Sequence, residues 1–247
     1  MITSDGVHAV EQYLLAKYYL TANVYRHRVR LITDQMIVRA IELGYERDNL
    51  PELKNLFTYV PGWDFAESYL RWDDARFMLE FGTAHGGTRC GSWLESLRLR
   101  RLHKLVFAAR VKDFPAAARE PIAALSRTPS AARRRRLECE IAKIIQKRKP
   151  LRAGLGPEAV IAHAFTIKSV RETSRNDEAA MMVVGGASPV PFDQESVLFA
   201  SIDEKMEDSY CEVYAPVEWN SPTERAKVVA DVREEVFGCI GSTCQGS

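Results

Sequence analysis

The sequence has no long hydrophobic run. A membrane-spanning helix needs about eighteen consecutive apolar residues, and no stretch of that length is present. The first residues, MITSDGVH, lack a basic segment followed by an apolar one. We therefore expect no signal peptide and a cytoplasmic location.

Cysteine is scarce and irregularly spaced. The five cysteines are odd in number, lie far apart and form no C-x-x-C pair. This spacing is typical neither of a disulfide framework nor of a zinc site, so we expect reduced thiols.

A metal-binding pattern is also missing. No histidine is followed directly by aspartate; the residues after the five histidines are Ala9, Arg28, Gly86, Lys104 and Ala164. Imidazole and carboxylate groups together bind the transition metals that generate a hydroxide nucleophile near neutral pH. We therefore expect this chain alone to bind no metal or other cofactor, and we assign it no catalytic residue.

The net charge of +1 favours no class of partner, but positive charge is concentrated near residues 133–152. On a helix, four of these residues would share one side and could attract nucleic acid or nucleotides: Arg133, Arg136, Lys143 and Lys147. Few aromatic residues lie between them for single strands to stack on. The alternative is a solvated helix face balanced by Glu138 and Glu140.

The clearest pattern that is present lies between Gly6 and Gly44. Its apolar residues recur at three- and four-residue steps, which predicts one long helix with a buried face. Asp5 is placed to cap the start of this helix, and Gly44 to end it. At about 1.5 Å per residue the helix would extend roughly 55 Å, so we expect other elements to pack along it.

After this helix the pattern stays helical until about residue 150 and then becomes extended. Further helices are predicted at 75–82, after a cap at Asp73 or Asp74, and at 93–107, 116–125 and 130–149. Strands are predicted at 160–170, 181–184, 197–202 and 211–217, and a last helix at 223–239.

Together these elements predict an α+β fold. A mainly helical N-terminal lobe built on the long helix would span residues 1–150. A small antiparallel sheet closed by the C-terminal helix would span residues 151–240, and a flexible tail residues 241–247.

The first helix also carries a family resemblance. The pattern AVEQYLLAKYYLTANVYRHRV resembles a helix of HD-domain phosphohydrolases, on the deoxynucleoside-triphosphate triphosphohydrolase branch. The matching positions are Val10, Glu11, Leu14, Ala16, Lys17, Tyr18, Val24, Tyr25, His27 and Arg28. In that family the metal-binding H…HD…D residues precede this helix, so the resemblance is to the C-terminal portion of the family without its metal centre.

The resemblance implies roles for four residues. Lys17 and Tyr25 match positions that line the substrate pocket, with the lysine on the triphosphate. His27 and Arg28 match positions that contact nucleotide phosphates at regulatory sites of oligomeric members. On one helix Lys17 and Arg28 would lie about 20° apart and could grip phosphates together. The alternative is that they belong to a solvated basic face with Arg26 and Arg30.

Three functions follow from these patterns. The chain could be a non-catalytic subunit, or a regulatory or oligomerisation half, acting with an HD-motif chain that holds the divalent metal; it could then also be a fragment or have a misassigned start. It could instead be a stand-alone protein that binds nucleotides or nucleic acid through its basic helices. A metal-dependent hydrolase with improvised ligands is the third function, and nothing in the sequence favours it.

Overall fold

The computed structural model describes residues 1–25, 27–153, 155–166, 181–185, 188–198 and 209–245. The α-helices are α1 (Val7–Leu20), α2 (Arg28–Glu46), α3 (Pro51–Phe57), α4 (Trp63–Leu70), α5 (Asp74–Phe77), α6 (Arg89–Arg98), α7 (Ala116–Ala123), α8 (Ala131–Gln146), α9 (Phe192–Glu195) and α10 (Pro222–Gln245). The strands are β1 (Ile2–Thr3), β2 (Lys104–Arg110), β3 (Ile161–Thr166), β4 (Met182–Val184), β5 (Val190–Pro191) and β6 (Ser209–Ala215). π-Helices, Thr21–Tyr25 and Met78–Ala84, follow α1 and α5. The protein therefore has the predicted α+β fold.

The chain forms two compact units. One is the continuous segment Arg28–His103, and the other combines Met1–His27 with Lys104–Ser247. Each unit has buried apolar residues of its own.

The unit Arg28–His103 is helical, with α2 packed against α6. Gly44 lies inside α2, where a Cβ would come within 2.6 Å of Leu53 Cδ2 and 3.1 Å of Cys90 Cβ. The close approach at this point therefore requires glycine. Asp73 caps α5 as predicted, since its side chain accepts a hydrogen bond from the Arg76 N–H at 2.7 Å. The apolar side chains buried here include Ile32, Met36, Ala40, Leu53, Leu56, Phe81, Trp93 and Leu94.

The other unit is built on an antiparallel sheet with the strand order β2–β6–β3. In the central strand, Val213 lies opposite Phe107 of β2 and Ala162 of β3. Helices α7, α8 and α10 pack with this sheet around one apolar core. That core combines residues from before and after residue 150, such as Ile141, Val160 and Val232.

Two side chains close the outer edge of β3. The Ala162 N–H donates to Glu138 Oε1 at 3.0 Å, and the Ala164 N–H donates to Ser126 Oγ at 3.0 Å. The Ser126 hydroxyl in turn donates to the Ala164 carbonyl at 2.7 Å. An open strand edge is a template for pairing with other chains, and these bonds remove it here.

A second small sheet joins the two chain segments of this unit, Met1–His27 and Lys104–Ser247. β1 pairs in parallel with β4, so that Ile2 lies opposite Val183, and β4 pairs antiparallel with β5. The start of α1 packs on this sheet, where Val7 shares a small core with Val183 and Phe192. Ser196 Oγ donates to Glu11 Oε1 at 2.6 Å, and this hydrogen bond lowers the pKa of the Glu11 carboxyl.

The prediction of one uninterrupted helix over residues 6–44 is wrong. α1 ends at Leu20, a π-helix follows it, and His27 lies in no helix before α2 begins at Arg28. Asp5 lies in a 3₁₀ turn and makes no cap, while Gly44 lies within α2, which continues to Glu46. The two helices belong to different units, and the apolar period within each one could not reveal the break between them.

The predicted helix at 93–107 is also wrong in its second half. α6 ends at Arg98, and residues from Lys104 form β2. Of the strand predicted at 197–202, Val197 and Leu198 are helical, and residues 199–202 lie outside the described residues. The structure confirms strands and helices at the other main predicted positions: α7, α8, β3, β4, β6 and α10.

The segment expected to be a flexible tail is helical as far as Gln245, because α10 continues through it. The last two residues lie outside the described chain. The compact units divide the chain after residues 27 and 103. This differs from the expected division at residue 150, since both sides of that position contribute to one core.

Candidate functional site

The four residues that the family resemblance singled out are distributed over both units. Lys17 lies on α1 and is half-buried, and His27 is exposed just after the π-helix. Arg28 is exposed and begins the other unit. Tyr25 lies in the π-helix, and its side chain is outside what the structure describes. Their role in nucleotide binding therefore stays a prediction.

An apolar stripe surrounds Lys17 on α1. Tyr13, Lys17 and Leu20 are four and three residues apart, so they lie on one face of the helix. Tyr13 is 65% exposed and Leu20 46%, and Val24 in the following π-helix is 55% exposed. We call Tyr13, Lys17, Leu20 and Val24 the α1 stripe. The adjoining face of the helix, with Val7, Val10 and Leu14, packs on the small sheet.

The predicted basic patch lies on α8 and on Lys147 directly after it, and carboxylates offset half of it. Lys143 Nζ donates to Glu140 Oε1 at 2.6 Å, and this hydrogen bond raises the pKa of Lys143. Lys147 lies 3.8 Å from Glu235 of α10. Arg136 is exposed and Arg133 half-buried. Interleaved charges of both signs make a weaker field for nucleic acid than four unpaired cations would.

The same surface carries further ion pairs between the end of α8 and α10. Arg148 pairs with Glu235, and Lys149 Nζ donates to Glu224 Oε1 at 2.7 Å. Glu224 also accepts a hydrogen bond from the Asn220 N–H at 2.7 Å, while Ser221 Oγ accepts from the Glu224 N–H at 3.0 Å. Ser221 thus caps the start of α10, and the Glu224 carboxylate binds the backbone just before it, which gives these charges a structural role.

A buried polar group that the sequence did not indicate lies on β3. His163 Nδ1 is 3.2 Å from Ser126 Oγ, and its ring stacks on Phe165 with 5.4 Å between centroids. Burial, with a contribution from Arg134, lowers the pKa of His163 to about 4. The imidazole is therefore neutral at physiological pH. Because the Ser126 hydroxyl donates to the Ala164 carbonyl, the histidine does not activate it as a nucleophile.

The cysteines are free thiols, as expected from their spacing. Burial raises the pKa of both Cys90 and Cys211 to about 12, which makes these thiols unreactive at neutral pH. Within the described ranges no three His, Cys, Asp or Glu residues come together in a way that could hold a metal ion. The described helices also include none that is long and apolar enough to span a membrane.

Comparison with known proteins identifies the family of the chain. The family model described as HD associated region matches residues 1–238. This range covers nearly all of both units, including α1 and the sheet of β2, β6 and β3. A search among curated proteins finds no match.

Proposed function

The chain belongs to the family of HD-associated regions, and from this premise we propose that it is the non-catalytic part of a nucleoside triphosphate phosphohydrolase. In this role it packs against an HD domain, which holds the divalent metals and cleaves the phosphate ester. The proposal is the same whether the HD domain lies on this polypeptide or on another chain.

The distribution of possible metal ligands supports a non-catalytic role for this chain and a catalytic role for the HD domain. The sequence contains no His-Asp dipeptide, and the described residues include no cluster of three metal-binding side chains. Hydrolysis assisted by a metal needs a site that fixes the ion and leaves a position open for water. We therefore assign that chemistry to the HD domain.

The observation that carries the proposal is the α1 stripe. Tyr13, Leu20 and Val24 expose about half of their side-chain surface or more on one side of the first helical segment. Contiguous exposed apolar residues mark surfaces that another protein covers. We propose that the HD domain covers this stripe.

Lys17 is the residue of the α1 stripe that we propose to contact the substrate. It lies between Tyr13 and Leu20, so a domain covering the stripe would enclose its ammonium group at the interface. A lysine in such a position can hold a triphosphate as a point charge. We propose this role for Lys17, and a regulatory phosphate-binding role for His27 and Arg28, which the family resemblance implies.

The test combines the purified chain with an HD-domain chain that carries the H…HD…D residues. We expect the two to co-elute in size-exclusion chromatography, and dNTP hydrolysis with Mn²⁺ to appear in the mixture but not with the purified chain alone. The substitutions Tyr13→Glu and Leu20→Glu should abolish co-elution and hydrolysis together. Leu79→Glu, at a residue of the other unit that is 65% exposed, is the matched control.

Lys17→Gln tests the substrate role separately. We expect it to preserve co-elution, because a neutral polar side chain still fits the stripe, and to raise KM for dNTPs by at least about tenfold, as expected when a hydrogen bond to a charged group is lost. Stoichiometric manganese or iron in the chain alone, with hydrolysis unaided, would overturn the proposal.

A further inference from the structure

A groove in the sheet-containing unit is lined by none of the residues of the α1 stripe. It has a volume of about 670 Å³ and lies between β2 and the first half of α10. Its apolar lining comes from Leu105, Phe107, Trp219, Ala226 and Val229. Sites for small molecules commonly have about 300–1,000 Å³ of mostly apolar, concave surface. The groove therefore has the size and walls of a ligand site.

Two guanidinium groups lie along the rim of the groove. Arg225 and Arg233 both line it and are exposed. Eight residues separate them on α10, a distance of about 12 Å along the helix axis, with Val229 between them. Arg233 Cζ lies 5.9 Å from the centroid of the Phe107 ring, so the cation sits next to the aromatic wall.

The charges of this groove are not balanced by acids. None of the lining residues is acidic, and within the described part of the chain no ion pair engages Arg225 or Arg233. Elsewhere on α10 the pattern is the opposite, because Glu224 and Glu235 pair with cations from the end of α8. Cations beside apolar walls favour an anionic ligand, and arginine binds carboxylate and phosphate groups through a fork of two N–H donors.

The edge of β2 helps to identify the kind of occupant. Arg233 Nη1 lies 3.4 Å from the Ala108 carbonyl, and the Arg110 N–H donates to Asp113 Oδ2 at 3.2 Å. These backbone groups are needed by a peptide that adds as a further strand. Since side chains of the protein already engage them, the groove favours a compact molecule over an extended peptide.

We propose that this groove binds a small amphipathic anion, with a flat apolar body against Phe107, Trp219 and Val229 and a carboxylate or phosphate group held by Arg225 or Arg233. The indole N–H of Trp219 is buried without a hydrogen-bond partner in the described chain. The ligand therefore meets the apolar part of that ring. This site is separate from the α1 stripe and does not depend on the proposed function.

Two dyes of similar shape test both parts of the proposal in the full chain. 1-Anilinonaphthalene-8-sulfonate carries a negative charge, and N-phenyl-1-naphthylamine is neutral. We expect Arg225→Gln/Arg233→Gln to weaken binding of the anionic dye about tenfold or more, while binding of the neutral dye stays within about twofold. Lys227→Gln/Arg127→Gln is the charge-matched control and should change neither dye, because these two exposed residues do not line the groove.

Filling the groove gives an independent test. Ala226 is exposed and lines the groove, so Ala226→Trp should remove binding of both dyes without disturbing the fold. Competition with octanoate and with phenyl phosphate then distinguishes a carboxylate from a phosphate head group. The proposal is overturned if the wild-type chain binds neither dye, or if the anionic dye binds the double arginine variant as tightly as it binds the wild type.

Discussion

At the scale of single residues, Glu138 shows how a charged side chain can belong to the core. The basic helix around it suggested a solvated carboxylate, but Glu138 is only 1% exposed and accepts a hydrogen bond from β3. Its strand partner lies 24 residues later in the sequence. No local pattern in α8 could have indicated that pairing. The sequence therefore predicted the helix and misassigned this residue.

We predict that Glu138→Leu destabilises the protein by about 1–3 kcal/mol, because the buried Ala162 N–H loses its acceptor. Glu138→Gln keeps an acceptor oxygen and should cost less. Urea unfolding followed by circular dichroism measures both changes. Glu140→Leu, two residues away at an exposed position, is the control and should have a small effect. Equal effects at the two positions would contradict the assigned role of Glu138.

His163 makes the stability of the protein depend on pH. Burial lowers the pKa of His163 to about 4, below its ordinary value of 6.5. The folded state therefore binds this proton less readily than the unfolded state does. The contribution to stability is complete above pH 6.5 and is lost as the pH falls toward 4. The loss at pH 4.5 should be on the order of 2–3 kcal/mol.

The measurement is urea unfolding of the wild type and of His163→Gln at pH 7 and pH 4.5. We expect the variant to be less sensitive to acid than the wild type by this amount, whatever its stability at pH 7. Substitution of the exposed His27 by glutamine is the control. An unchanged acid sensitivity in His163→Gln would show that other groups cause the loss.

At the scale of secondary structure, β2 shows the limit of reading local periodicity. The spacing of the preceding helix continues through Leu102, Leu105, Val106 and Phe107, which predicts a single helix over all of them. The structure instead places Phe107 opposite Val213, in a strand about a hundred residues later. Pairing over such a distance decides between helix and strand, and a short apolar run fits both. In α7 and α8 the local apolar period agrees with the packing against distant parts of the chain, and the predicted helices are confirmed.

Two helical glycines predict opposite effects of one substitution. A Cβ at Gly44 would lie 2.6 Å from Leu53 Cδ2, whereas one at Gly238 of α10 would meet no atom within 4 Å. Gly44→Ala should therefore destabilise the protein by about 1–3 kcal/mol through overpacking. Gly238→Ala should stabilise it by about 0.5–1 kcal/mol, because alanine loses less backbone entropy in a helix.

Thermal or urea unfolding of the two alanine variants checks this pair, each serving as the control for the other. A stabilising effect of Gly44→Ala would contradict this prediction. It would mean that α2 and α3 can move apart without a loss in the free energy of unfolding. The sequence had suggested that Gly44 ends its helix, which is the ordinary role of such a glycine. Its actual role depends on Leu53 and Cys90, which no periodicity within α2 reveals.

At the scale of the whole molecule, the N-terminal residues join elements from the opposite end of the chain. β1 pairs with β4 about 180 residues later, and the family match covers both segments. This arrangement places α1 and α10 in one unit and α2 to α6 in the other. A reading along the sequence divides the chain into successive lobes, and so could not predict a unit assembled from its two ends.

The two cores lead to the last prediction, which concerns cooperativity. Met36 and Ile141 are both fully buried, one in each unit. Truncation of either to alanine leaves a cavity and should destabilise its own unit by about 2–5 kcal/mol. Because each side chain packs within a separate core, Met36→Ala should increase amide hydrogen exchange in α2, α3 and α6. Ile141→Ala should do so in β2, β3 and β6.

Hydrogen exchange followed by mass spectrometry of the full chain resolves these segments, and each variant is the control for the other. Faster exchange in β2, β3 and β6 after Met36→Ala would show that the chain unfolds as one cooperative body. If exchange in the two units instead responds separately, an HD domain bound to α1 should stabilise the sheet-containing unit alone. Binding to the folded state stabilises only the part of the fold that is coupled to the binding site. The same measurement on the mixture with an HD-domain chain would then identify which unit carries the interface.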